Sequence, residues 1–330
     1  MEYWLPVVYM MIMGFALLVY VILDGYDLGV GMLLPLAEAD EKDMMVASIG
    51  PFWDANETWI VLGVGVLLIA FPLAHGIILS QLYIPVTLML MGLILRGVAF
   101  DLRVKAGDHR KGLWNSAFFA GSVLASVCQG WMLGAWVTGL QGGTVGLLFS
   151  ALIAVALPAL YLLLGCGWLL MKTEGALLEK AIRWARFVVW PMAAGLLLVS
   201  IATPLVSSAI AERWFSLPNM LLLAPIPLAT AICLVLVFYL LAHPRLLREG
   251  LGWALFAATV LICLLATLGL AYSVFPDVII GRLDIWESAA SVDSLLFTLV
   301  GIVITLPVIL FYTVYVYRVF HGRATALSYD

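Results

Sequence analysis

Charge is what this sequence has least of. Asp, Glu, Lys and Arg make up 11% of its 330 residues, against 65% hydrophobic ones, where a soluble domain is usually about a quarter charged. With a mean hydropathy of +1.13, a water-soluble globular chain is excluded. No basic patch marks a nucleic-acid surface. The four cysteines, Cys128, Cys166, Cys233 and Cys263, all fall inside apolar runs and form no CxxC pair, so they read as packing residues rather than a zinc site or disulfide framework. Walker loops, Rossmann fingerprints and nucleophile elbows are missing from any credible context.

Other absences shape the organisation. There is no basic leader ahead of the first apolar run, which carries Glu2 and ends in Asp24-Gly-Tyr-Asp27 instead of a small-residue cleavage site; residues 3–23 are therefore expected as a retained first span. No Pro/Gly/Ser-rich linker and no internal repeat divides the chain, so residues 1–330 read as one membrane domain. The charged stretch 172–186 is expected as a loop between a first half (1–171) and a second half (172–330). No histidine lies deep in a span: His75, His109, His243 and His321 fall in or beside loops, which leaves no pair of axial donors for a haem within the membrane.

What is present is long and apolar. Runs near 3–23, 53–72, 76–100, 114–138, 148–171, 187–209, 219–242, 251–275 and 292–317 each approach the roughly 20 residues that cross ~30 Å of hydrocarbon. Barrel strands would be shorter and alternating. The expected fold is all-α: nine transmembrane helices, arranged as two four-helix bundles plus a peripheral ninth helix. Of the 16 basic residues, Lys42, Arg96, Arg103, Lys105, Arg110, Lys111, Lys172, Lys180, Arg183, Arg186, Arg245, Arg248, Arg318 and Arg323 fall on the side of the C-terminus, and only Arg213 and Arg282 on the other. The excess puts the C-terminus in the cytoplasm and the N-terminus outside.

The second span carries the chemistry. Its purely apolar part, Trp59 to Leu73, is too short to cross alone, so the helix must take in Trp53-Asp-Ala-Asn-Glu-Thr58. Asp54 and Glu57, three apart, share a face. Asp54 lies 18 residues before Pro72 and Arg96 lies 20 after Gly76, so a hairpin through 72–76 brings both to one cytoplasmic level, where the first span delivers Asp24 and Asp27. Charges at such depth are usually paired or functional, and several acids around one arginine suit a proton relay. Asp24, Asp101 and Arg103 read instead as interfacial groups that touch water. A second polar thread, Ser122, Ser126 and Gln129, follows helical spacing on span four; it suits either a water path or ordinary interhelical packing.

Three stretches, Asp24-Gly-Tyr-Asp-Leu-Gly-Val-Gly31, Gly50-Pro-Phe-Trp-Asp-Ala-Asn-Glu-Thr-Trp59 and Arg96-Gly-Val-Ala-Phe-Asp-Leu-Arg103, together resemble subunit II of the cytochrome bd-type quinol oxidases, including the cyanide-insensitive branch. Length and span count agree over the whole chain. The resemblance implies a bacterial cytoplasmic-membrane enzyme that oxidises ubiquinol or another quinol and reduces oxygen to water. It implies two haems b and one haem d (or a b-type variant), all ligated by a partner subunit I, and none by this chain. It further implies a heterodimer with that subunit, small single-span subunits beside it, and surrounding lipid. Some members also hold a structural quinone in subunit II. The family's motif aspartate corresponds to Asp54 beside Trp53, at the start of a cytoplasmic proton pathway, with Asp27 and Arg96 near its entrance. Glutamine stands at the position of Glu57 in some members, so Asp54 is expected to matter more. A proton-coupled transporter or a purely structural scaffold subunit would use the same residues differently.

Overall fold

The computed structural model describes residues 2–324. Among them nine helices are long and apolar enough to span a membrane. The first is α1 (Trp4–Leu33), followed by a short polar helix α2 (Ala39–Ile49), then α3 (Trp53–Ala70), α4 (Pro72–Lys105), α5 (Asp108–Val137) and α6 (Thr144–Lys172). The remainder comprises α7 (Gly175–Val206), the short α8 (Ser208–Phe215) and α9 (Asn219–Leu223), α10 (Pro225–Ala242), a single turn α11 (Pro244–Leu246), α12 (Gly252–Val274) and α13 (Val292–Val319). A two-stranded antiparallel ribbon, β1 (Asp277–Ile279) and β2 (Leu283–Asp284), precedes α13.

The expected loop at 172–186 is almost entirely helical. Only Thr173 and Glu174 separate α6 from α7, which begins at Gly175 and carries the charged residues on its first turns. Hydropathy marks where a helix leaves hydrocarbon, not where it ends. Here the polar turns are held by partners: Arg248 grips Glu179 at 2.6 and 2.9 Å, and Arg186 Nε donates to the Leu241 carbonyl at 2.8 Å. The turn between spans two and three is likewise tighter than 72–76. Phe71 alone breaks the helix, and Pro72, which lacks an N–H the first turn does not need, starts α4. Within α4, Leu82 departs from helical angles three residues before Pro85; the ring of a mid-helix proline clashes with the preceding turn and removes one hydrogen bond.

The polar stretch after α1, with Glu38, Asp40, Glu41 and Asp43, folds into α2. Its capping box joins Glu38 and Glu41 reciprocally, satisfying two of the amides that a helix start leaves open. Lys180 of α7 pins this helix at 2.9 Å from Glu38 and 2.7 Å from Glu41. Partial burial pushes the Glu41 carboxyl up, but the Glu38 N–H and the Lys180 ammonium outweigh it and hold Glu41 below its ordinary value.

The main apolar core is shared by both halves of the chain. It runs from Tyr26 and Leu28 through Leu163 and Trp168 to Leu255 and Ile262. The glycines of α1 permit this. A Cβ on Gly29 would overlap the carbonyl oxygen of Tyr161, and Gly165 answers it from α6, so the two backbones touch directly. Small residues allowing close approach are the usual source of helix association in lipid, where burial of apolar surface gives no drive.

Candidate functional site

Three helix segments converge on one end of the bundle: the end of α1 with Asp24 and Asp27, the start of α3 with Asp54 to Glu57, and α4 at Arg96. The start of α3 follows Gly50 and Pro51, and Asp54 lies in its first turn, where a carboxylate complements the helix dipole. The helix includes Trp53 to Thr58, as the span length required.

Arg96 is at the centre. Its side chain is 1% exposed; Nη2 pairs with Glu57 Oε1 and lies 2.6 Å from Asp24 Oδ1, with Asp24 fully buried and Glu57 24% exposed. The Asp24 contact is close but lies outside hydrogen-bond geometry, so Asp24 is held by charge more than by direction. Asp27, also buried, accepts a hydrogen bond from Asn56 Nδ2 at 2.8 Å and feels the charges of Asp24, Arg96 and Glu57. Among the described residues, Asp24 Oδ2, Asp27 Oδ1, and Arg96 Nε and Nη1 are buried without a hydrogen-bond partner, so the site keeps donor and acceptor capacity in reserve.

Asp54 stands apart. It is exposed on the surface of this chain and, among the described residues, makes no hydrogen bond or ion pair. Trp53 beside it packs on Phe100 of α4, ring centroids 5.0 Å apart, and closes over Gly97, where a Cβ would lie 3.4 Å from the indole.

Asp24 and Arg103 are not interfacial in the way hydropathy suggested. Asp24 has no exposure and Arg103 only 4%. Asp24 is drawn inside by Arg96. Arg103 ties two elements together, donating from Nε to Asn115 Oδ1 and from Nη2 to Asp43 Oδ1, each at 2.6 Å. Asp101 is exposed, as expected.

The thread on α5 divides. Ser122 and Ser126 donate to the carbonyls of Phe118 and Ser122 one turn back, and Ser122 fills the space beside Gly31. Gln129 links two buried tyrosines, donating to Tyr20 Oη at 2.6 Å and accepting from Tyr161 Oη at 2.7 Å.

Asn56, Tyr20, Tyr26, Tyr161 and Tyr317 belong to the site although no motif argument singled them out. Asn56 and Tyr26 each sat within a quoted motif, between two acids on a span, and that position was the available signal. Tyr317 comes from the far end of the chain, and only the fold brings it here.

None of the four histidines is buried in the bundle. His109, His243 and His321 are exposed, and His75 is half-buried at the opposite end of the bundle. His243 and His321 each engage Nδ1 with a backbone carbonyl of their own helix end. Among the described residues no three His, Cys, Asp or Glu side chains converge as metal ligands. All four cysteines are buried and free.

Residues 5–320 match the family model of the cytochrome bd terminal oxidase subunit II. The chain is 28% identical to the cytochrome bd-I ubiquinol oxidase subunit 2 of Escherichia coli K12, with 96% of this chain and 94% of that protein covered. It is 27% identical to the cytochrome bd ubiquinol oxidase subunit 2 of Bacillus subtilis, covering 98% and 96%. In structure it resembles a chain of the bd oxidase from Geobacillus thermodenitrificans, with a TM-score of 0.76 at 18% identity over 96% of this chain and 98% of that one; at such identity the likeness speaks for the fold. The chain belongs to the family of cytochrome bd terminal oxidase subunit II.

Proposed function

We propose that this chain supplies the cytoplasmic proton-uptake site of a bd-type terminal quinol oxidase, with Asp54 as the outermost carboxylate. Membership of the family makes the chain one subunit of a respiratory oxidoreductase in the bacterial inner membrane, partnered by subunit I, and haem and quinol belong to that complex. Haem ligation falls to the partner in this reading, because the histidines here sit at the surface.

The observation that carries the proposal is the contrast between Asp54 and its neighbours. A carboxylate that is exposed and, among the described residues, unpaired stands one helical turn from Glu57, which pairs with the buried Arg96, itself in contact with Asp24. The excess of basic residues on the C-terminal side supports a cytoplasmic position for this end of the bundle. A proton taken from cytoplasmic water by Asp54 can pass to Glu57. Arg96 remains charged throughout and holds Glu57 and Asp24 side by side, while Asn56 orients Asp27. Three carboxyl groups around one guanidinium can hold a proton without leaving Arg96 unpaired. Burial of uncompensated charge is costly, so the group favours carrying that proton over carrying excess negative charge.

The test is oxygen consumption per haem in purified, fully assembled Asp54→Asn enzyme. Asparagine keeps shape and hydrogen bonding but releases no proton. Assembly and haem content are expected to survive while quinol-driven turnover and proton uptake from the cytoplasmic side fall. Asp54→Glu should recover part of the activity, and Glu57→Gln should do less harm than Asp54→Asn. Near-normal turnover in assembled Asp54→Asn enzyme would remove Asp54 from the mechanism and leave the acids as a scaffold.

A further inference from the structure

The last helix, α13, is mostly exposed along its length; among its residues only Leu295, Ile302 and Val316 are buried. Yet its cytoplasmic end enters the acidic site. The Tyr317 hydroxyl lies 2.5 Å from Tyr26 Oη and 3.2 Å from Asn56 Oδ1, while Asn56 Nδ2 donates to Tyr26 Oη at 2.9 Å and to Asp27 Oδ2 at 2.8 Å.

Proton counting fixes the directions. Each tyrosine has one hydroxyl proton. Tyr317 gives its proton to Asn56 Oδ1, so the short Tyr26–Tyr317 contact must be donated by Tyr26, which in turn accepts from Asn56. Asn56, Tyr26 and Tyr317 close a ring in which every member donates once and accepts once. The second Asn56 N–H is left for Asp27, whose Oδ2 must then be an acceptor.

The ring has a second arrangement, less complete than the first, because one Asn56 N–H then lacks an acceptor among the described residues and the amide oxygen faces the Leu23 carbonyl, which Nδ2 approaches at 3.4 Å in the first. Turned over, the Asn56 amide presents oxygen to Tyr26 and Asp27 and nitrogen to Tyr317, and the two hydroxyls reverse. That state requires a proton on Asp27 Oδ2, which then donates to the amide. Asn56 can therefore serve Asp27 with and without its proton, provided that Tyr317 completes the ring in both.

Tyr317 is held in place by an unusual lysine. Lys172, the last residue of α6, is 6% exposed and, among the described residues, contacts no carboxylate. Its ammonium donates to the carbonyls of Phe320 and Gly322 (3.0 Å to the latter) and lies over the rings of Phe52 and Trp168 at 5.3 and 5.0 Å. The Ala324 N–H returns to the Lys172 carbonyl at 2.8 Å. Phe52 and Trp168 pack against Tyr317, centroids 4.6 and 6.0 Å away. A cation beside open C-terminal carbonyls is favourable for the helix end, and here it fastens that end to α6 and to the residue preceding Trp53.

We propose that Tyr317 and Lys172 are positioning residues of the proton site: Tyr317 closes a reversible hydrogen-bond ring on Asn56 that serves both protonation states of Asp27, and Lys172 fixes the end of the last helix so that the ring stays closed. The role in turnover rests on the proton-uptake reading above; the ring itself does not.

The experiment uses the purified holo-complex with Tyr317→Phe, Lys172→Met, Lys172→Arg and the double variant Tyr317→Phe/Lys172→Met, with Asp54→Asn prepared alongside. Turnover at saturating quinol should fall between about ten- and a hundredfold in Tyr317→Phe, the order that a misplaced acting group costs, with KM for quinol unchanged. Lys172→Met should lose a similar factor, Lys172→Arg should regain most of it, and the double variant should be no slower than Tyr317→Phe. In redox-triggered infrared difference spectra, the carboxyl C=O band that Asp27→Asn abolishes should shift in Tyr317→Phe. A wild-type band in Tyr317→Phe overturns the ring, and this readout survives any assembly defect of the lysine variants because Tyr317→Phe removes one oxygen only. Multiplying losses in the double variant, or full turnover in Tyr317→Phe, overturn the positioning roles. A shifted band together with normal turnover in Asp54→Asn would leave the ring standing and sink the proton-uptake reading instead.

Discussion

Arg96 pairs with Asp24, not with Asp54. Nη2 of Arg96 and Oδ1 of Asp24 lie 2.6 Å apart inside the bundle, although Asp54 and Arg96 share a depth on adjacent helices. A pair of this kind is all but desolvated, so the two residues depend on each other far more than either depends on Asp54.

Breaking that pair should therefore damage folding where loss of Asp54 does not. Removing one partner of a buried pair costs about 3–5 kcal/mol, because the other charge stays uncompensated. Arg96→Met alone is expected to lower the yield of assembled, haem-containing complex sharply, and Asp24→Asn to do so less, since Glu57 still faces Arg96. Arg96→Met combined with Asp24→Leu should recover yield relative to Arg96→Met. Yield and thermal midpoint, measured across the three variants, check the order; equal yields would mean that the pair contributes nothing.

The contact of α1 with α6 makes a sharper steric prediction. A methyl group on Gly29 meets the Tyr161 backbone, which cannot move aside as a side chain would, whereas one on Gly14 of the same helix meets nothing within 4 Å. Gly29→Ala should lower the thermal midpoint of the purified complex by an amount reflecting at least the roughly 1–3 kcal/mol of an overpacked core. Gly14→Ala, with the same change in helix propensity and no clash, should leave it unlowered or raise it slightly, by about the 0.5–1 kcal/mol that alanine gains over glycine in a helix.

How much of this was legible beforehand follows from what each signal measures. Apolar length found the nine spans, because a membrane imposes one length on every crossing. It misplaced the start of α7 by about three turns, since helices continue past hydrocarbon wherever polar side chains find partners, as Glu179 does in Arg248. Spacing placed Asp24, Asp27, Glu57 and Arg96 at one level but could not say which acid takes the arginine. That depends on helix rotation, and here α1 turns Asp24 inward while α3 turns Asp54 outward. The polar stripe of Ser122 and Ser126 left path and packing open, and only the structure shows that both hydroxyls bond carbonyls one turn back. Tyr317 was beyond reach, because nothing local marks a tyrosine near the end of the chain as a partner of Asn56.

The clamp on α2 gives a pH dependence of defined sign. Glu41 is held below its ordinary value, so its ionised form favours the docked helix. That contribution is complete above the free carboxyl value of about 4.3 and disappears as pH falls through the lower value of the docked state. A spin label at Asp40 should be less mobile in the native chain than in Lys180→Gln at pH 7. The difference should close only as the medium is taken well below pH 4, where Glu41 is neutral in both. A difference that vanished between pH 7 and 5 would put the clamp on some other group.

The orientation of the bundle can be settled in whole cells, and the native cysteines make the experiment clean. All four are buried, so an impermeant thiol reagent should label the unaltered chain weakly. Gln141, in the turn between α5 and α6, and Asp284, on β2, lie at the end of the bundle opposite the acidic site, whereas Lys111 lies at the first turns of α5 near Arg103. With 14 of 16 basic residues on the Lys111 side, insertion should keep that side in the cytoplasm, since positive charge is retained there. Gln141→Cys and Asp284→Cys should therefore be labelled in intact cells, and Lys111→Cys only after the membrane is opened. The outcome bears directly on the chemistry. Labelling of Lys111→Cys from outside would put Asp54 at the outer face, and the protons it collects could not then come from the cytoplasm.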